Sequence, residues 1–122
     1  MSDDAQRQKA IEDEFLVSWR KMEGFFSKRY PPMMPVIREL RARGCDRQLR
    51  AGQAMSTFFV SRSRDPHMRD DQPSLAFDVM PDGHLAVQLD AEHVHVVLEQ
   101  DEVAITPQIE HLLNLLLAHP ID

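Results

Sequence analysis

Cysteine is nearly missing from this chain: Cys45 is the one thiol in 122 residues. A lone cysteine closes no internal bridge, so a disulfide-framed secreted scaffold is excluded and a reducing, cytoplasmic setting is expected. It also leaves too few thiolates for a cysteine-built zinc site. Glycine is scarce as well, with only Gly24, Gly44, Gly52 and Gly83, far apart. No glycine-rich loop is therefore present to gather backbone amides around a phosphate. Long apolar runs are lacking: the longest, residues 112–118, is interrupted by Asn114. A membrane span needs about 20 apolar residues, so no membrane contact is expected. The start, Met1-Ser2-Asp3-Asp4-Ala5-Gln6-Arg7, lacks the basic and apolar stretches of a secretory signal.

What is there is ordinary globular material. Hydrophobic residues make up 43% and charged residues 28%, enough apolar content for one core. The expectation is a single domain over residues 1–122. Charge, by contrast, is unevenly laid out. Residues 1–69 hold all fourteen Lys and Arg against nine acids; residues 70–122 hold eleven acids and neither Lys nor Arg. Such polarity between halves points to pairing, within the chain or across an interface.

The spacing of apolar residues sets the elements. Ile11, Phe15, Trp19, Met22 and Phe26 recur every three or four residues, predicting a helix from about Asp4 to Arg29. Leu16, Val17 and Phe25 widen that stripe toward a second neighbour. Tyr30-Pro31-Pro32 ends the helix, because proline disfavours helix in the residue before it. Pro35 then suits the first turn of a shorter helix with Val36, Ile37 and Leu40 on its apolar face, closed by Gly44. Residues 46–52 read as a loop or one more helical turn.

The period then drops to two. Thr57, Phe58, Phe59 and Val60 predict a strand within residues 55–64, followed by a long polar connection over residues 63–73. Leu75, Phe77 and Val79 alternate, Pro81-Asp82-Gly83 signals a turn, and Leu85, Val87 and Leu89 alternate again. After a turn at Asp90-Ala91-Glu92, Val94, Val96 and Leu98 continue the pattern. Gln100-Asp101-Glu102 turns once more, and Val103-Ala104-Ile105 reads as a short last strand. Thr106-Pro107 caps and opens a final helix with Ile109, Leu112, Leu113 and Leu116 on its buried stripe. The fold class is thus α+β: two N-terminal helices, an antiparallel meander of four to five strands, and one C-terminal helix packed on one sheet face.

Candidate sites are few. His93 and His95, two apart in the expected strand, share a face opposite Val94, Val96 and Leu98, and His84 starts the strand before. They make half of a divalent-metal site, or simply exposed polar positions on the wet side of a sheet. Arg38, Arg41, Arg43, Arg47, Arg50, Arg62, Arg64 and Arg69 would suit phosphates. The chain's pI near 5.4 and the lack of interleaved stacking aromatics argue against nucleic acid and favour pairing with acids. Leu112, Leu115, Leu116 and Leu117 give the last helix more apolar surface than one sheet needs, and with Arg38 and Arg41 they are the expected partner contacts. Trp19, Phe58 and Phe77 would line a small-molecule pocket if the histidines closed it. Cys45 has no histidine near it in sequence to act as base. No serine lies in a nucleophile elbow. Nothing calls for a cofactor.

The leading expectation is a non-enzymatic module working through a protein partner or as a homodimer. A small-molecule or metal-binding protein, or an enzyme, on the His84/His93/His95 face stands second. Weak nucleic-acid binding through residues 38–69 stands third.

Overall fold

The computed structural model describes residues 2–65 and 72–122. Most of the polar connection read over residues 63–73, with His67 and Arg69, lies outside them. The chain opens with α1 (Ser2–Arg29), whose early Asp3 and Asp4 and late Lys28 and Arg29 suit the helix dipole. Its stripe behaves as the spacing predicts: Ile11, Phe15, Trp19 and Phe26 are buried, and Met22 is half-buried. After a 3-10 turn at Pro31–Met33 comes α2 (Met34–Ala42), burying Met34, Val36, Ile37 and Leu40. Gly44 then takes a left-handed φ of 83°, which glycine adopts without steric cost, and a second 3-10 turn follows at Cys45–Arg47.

Five strands form one antiparallel meander in the order β1 (Arg50–Ala54), β2 (Thr57–Ser61), β3 (Ser74–Val79), β4 (Leu85–Ala91) and β5 (Val94–Gln100). Helix α3 (Pro107–Leu117) completes the chain. Two assignments differ from the sequence reading. β1 forms where a loop or helical turn is expected, and Val103–Ile105 is not a strand. The segment Arg50-Ala51-Gly52-Gln53-Ala54 has little strand propensity of its own, so tertiary contacts hold it. It pairs residue for residue with β2, Ala51 opposite Val60 and Gly52 opposite Phe59. The Phe59 ring occupies the space over Gly52, where a side-chain carbon would come within 2.6 Å of it. Residues 101–105 fail to become a strand for a different reason. The Gln100 side-chain amide donates to the carbonyls of Glu102 at 2.6 Å and Ala104 at 2.9 Å, engaging groups a ladder would use.

One face of the sheet is the core. Phe58 and Val60 of β2, Leu75 and Phe77 of β3, and Leu85, Val87 and Leu89 of β4 are all buried there. Trp19 of α1 meets Phe58 edge-on with centroids 5.4 Å apart, and Phe26 does so at 5.6 Å. Each such buried side chain contributes about 1.5–3 kcal/mol. These aromatics fill the core against one another, and the histidines lie elsewhere. The expected pocket lined by Trp19, Phe58 and Phe77 is therefore not formed. No helix among the described residues is long and apolar enough to cross a membrane.

Candidate interaction surface

The two margins of the sheet are finished differently. At β1 the margin is closed by α1. The Ala51 amide donates to Ser18 Oγ at 3.0 Å, and Ser18 Oγ donates to the Phe15 carbonyl at 2.6 Å. Just before β1, Trp19 Nε1 donates to the Leu49 carbonyl at 2.8 Å. An edge amide that would be open to another strand is thus spent on a helix side chain, one of the ways proteins protect sheet edges.

At the other margin β5 has β4 on one side and, among the described residues, no strand on the other. Its seven residues, Val94-His95-Val96-Val97-Leu98-Glu99-Gln100, include no Lys, Arg, Pro or Gly, and they pair with β4 without a bulge. Of the usual edge defences, β5 carries only the charge of Glu99. Val96 and Leu98 lie half-buried on the core side. Val97 falls on the polar phase of the strand and is 61% exposed; Val94 is 48% exposed. Beside this strand runs a groove of about 430 Å³, with Val96, Val97 and Leu98 as one wall and Pro107, Gln108, His111 and Leu112 of α3 as the other.

Local chemistry positions the two walls. Thr106 Oγ1 accepts from the Ile109 amide at 3.5 Å, capping α3, and donates to Gln100 Oε1 at 2.8 Å. Pro107 takes the first helical position, where its missing N–H is no loss. The last residue of β5 is thus tied to the cap of α3, and the groove between them is set by a latch of two side chains.

On the sheet face away from the helices lie acids and imidazoles. His84 Nδ1 contacts Asp82 Oδ1, and His84 Nε2 lies 3.1 Å from Glu99 Oε1. Hydrogen bonds to Asp82 and then Glu99 hold the His84 imidazole above its ordinary pKa. Asp82 is held below the usual carboxylate range, first by the His84 backbone amide and then by its ring. His95 Nδ1 contacts Asp90 Oδ1, which also accepts at its other oxygen from Gln88 at 2.7 Å. The His95 bond depresses Asp90.

The three predicted histidines are not brought together. His93 lies in the turn between β4 and β5, not in the strand, so it does not share a strand face with His95. His95 sits opposite Asp90, six residues along β4 from His84, a separation of about 20 Å at strand rise. Among the described residues no three His, Cys, Asp or Glu side chains are grouped to hold a metal ion.

The predicted partner contacts divide. Leu116 is fully buried and Leu112 nearly so, though Leu112 also floors the groove; Leu115 is 39% exposed and Leu117 half-buried. Arg38 is exposed, while Arg41 is engaged by Glu23 at 2.7 Å and Asp46 at 3.1 Å. Most of the other arginines of the described segment are likewise occupied. Arg64 forks onto Glu14 at 3.1 and 2.7 Å, and its hydrogen bond lowers the Glu14 pKa. Arg50 donates to the Ser63 and Arg64 carbonyls, and Arg62 to those of His119 and Gln48. The Arg43–Glu110 pair, at 2.8 Å, links the basic half to an acid of residues 70–122. Arg41 and Arg64, by contrast, pair with acids of their own half. Cys45 is buried, and burial pushes its thiol up to about 11, an unreactive state.

Val97, Pro107, Gln108 and His111 were not singled out by sequence reasoning. Val97 carried a usable signal: it is the apolar residue that breaks the alternation of an otherwise two-sided strand. Compared with family models, curated proteins and solved structures, the chain matches none.

Proposed function

We propose that this protein is a non-enzymatic interaction module of the cytosol, acting through a protein partner or a second copy, with β5 and the α3 groove as its contact surface. One observation carries the reading: a lightly defended edge strand with exposed Val94 and Val97 lies directly beside an apolar groove. Edge strands of this kind recruit extended segments, main-chain bonds supplying affinity and side-chain pockets supplying specificity. The test is selection from displayed random peptides, run in parallel with the Val97→Lys variant, together with a measurement of self-association. Extended apolar peptides retained by the wild type and lost by Val97→Lys, or self-association lost by it, are the expected results. Neither binding nor self-association would overturn the proposal.

A second reading places a small molecule or divalent metal on the outer sheet face, motivated by His84 standing between Asp82 and Glu99. A native-state ligand raises the melting temperature. If zinc, nickel or magnesium gives no rise, or a rise that survives His84→Ala and His95→Ala, that reading falls. Nucleic-acid binding through residues 38–69 draws least support, since most of the described arginines there are already occupied.

A further inference from the structure

We infer that β5 pairs with β5 of a second copy, antiparallel and centred on Val97, joining two sheets edge to edge. This deepens the reading above and rests on it. At β1 the Ala51 edge amide is taken by Ser18 of α1, whereas among the described residues no strand pairs with the outer margin of β5, so β5 is the edge more open to pairing. What selects a second copy as the occupant is the strand's own complementarity.

About a two-fold axis at Val97, residues opposite one another have numbers that mirror around 97. On the outer face His95 then stands opposite Glu99 of the second copy, Val97 opposite its own equivalent, and Glu99 opposite the other His95. On the core side Val96 stands opposite Leu98. Val96, Val97 and Leu98 each meet an apolar residue, His95 and Glu99 meet each other, and at the strand ends Val94 meets Gln100. Other centres lose this. A centre at Val96 sets His95 against Val97, and a centre at Leu98 sets Val97 against Glu99. A centre between residues exchanges the faces, since one step of register turns every side chain over. Directly opposed side chains in an antiparallel pair lie about 4.5–5.5 Å apart, so these pairings are contacts.

The charged row of each copy is already half assembled. His95 holds Asp90 through Nδ1 and has no partner for Nε2 among the described residues, while Glu99 receives His84. Docking extends these into one alternating series: Asp90, His95, then Glu99, His84 and Asp82 of the second copy. On the core side, the walls formed by Leu98, Pro107, His111 and Leu112 meet their symmetry equivalents across the axis and cover the groove.

Cysteine scanning in the full chain tests the register. Val97→Cys places two thiols across the axis within disulfide reach, whereas His95→Cys or Glu99→Cys alone leaves like positions about 13 Å apart along the strand. Under mild oxidation Val97→Cys is expected to give a covalent dimer. The His95→Cys and Glu99→Cys proteins should cross-link only when mixed. Buried Cys45 stays silent, and exposed Arg38→Cys sets the background. Sedimentation supplies a second readout that does not depend on oxidation. Glu99→Lys is expected to yield monomer, and His95→Glu with Glu99→Lys together to restore the dimer, with circular dichroism showing each variant folded.

Cross-linking of Val97→Cys at the Arg38→Cys rate, or a dimer indifferent to Glu99→Lys, overturns the self-pairing. If the wild type is monomeric but still selects peptides that Val97→Lys loses, self-pairing falls and the interaction module stands. If both are absent, both fall.

Discussion

Ser18 shows how one hydroxyl decides the fate of a strand. It accepts from the Ala51 amide and donates a hydrogen bond to the Phe15 carbonyl, in a position only 7% exposed. Ser18→Ala leaves a buried edge amide without an acceptor, a loss worth about 1–3 kcal/mol. Urea unfolding should register that loss, and hydrogen exchange should be fastest to change at Ala51. His84 makes a different prediction, about pH. Its folded pKa is raised above the unfolded value, so its stabilisation is complete below the ordinary imidazole pKa of about 6.5 and is lost as pH rises through the folded pKa. Proton NMR of the His84 ring is expected to show a titration that moves down in Asp82→Asn and further down when Glu99→Gln is added. An unmoved midpoint would mean that neither carboxylate contributes. Single residues of this sort escape sequence reading, because the partner lies 33 positions away for Ser18 and 15 for Glu99.

Among elements, α1, α2 and α3 were legible because an apolar stripe and its stop signals coincide: Pro31-Pro32 after α1, Gly44 after α2, Thr106-Pro107 before α3. The β3–β4 hairpin was legible from Asp82-Gly83, where Gly83 takes a φ of 92°. The other two tight turns carry no such signal, since Met55 and Glu92 adopt φ of 55° and 48° in place of glycine. β1 was hidden for the same kind of reason. Its residues record neither alternation nor branched side chains, only the partners that β2 and α1 supply. The cap of α3 has a consequence beyond the helix, because Thr106 also ties Gln100 at the end of β5. Thr106→Ala should lower stability by about 1 kcal/mol, the usual worth of a cap. It should also loosen the groove, seen as faster hydrogen exchange along both β5 and the first turn of α3. Loss confined to α3 would show that cap and strand are independent.

For the whole molecule, the contrast between a basic first half and an acidic second half was read correctly as a layout and only partly as a pairing. The arginines lie near helix-borne acids of their own half, Glu14, Glu23, Glu39 and Asp46, and satisfy them first. In the second half Glu110 of α3 reaches Arg43, while Asp82, Asp90 and Glu99 lie at a turn and on the outer sheet face, beside the histidines. The sequence pattern reaches only part of the proposed surface. The leucines of α3 drew attention to that helix, but its wall of the groove includes Pro107, Gln108 and His111, and the facing wall is a strand edge that no side-chain pattern announces.

The unequal finish of the sheet margins also decides how far assembly proceeds. A chain with two sticky edges adds copies without end, the geometry of fibrils. Here Ser18 of α1 takes the Ala51 amide at one margin, so the proposed pairing at β5 would leave as its outer edges two margins already engaged by α1. Such a pairing would favour two copies over a continuing series, and a valine-rich strand that would be an aggregation hazard in a doubly open sheet would become a terminating contact.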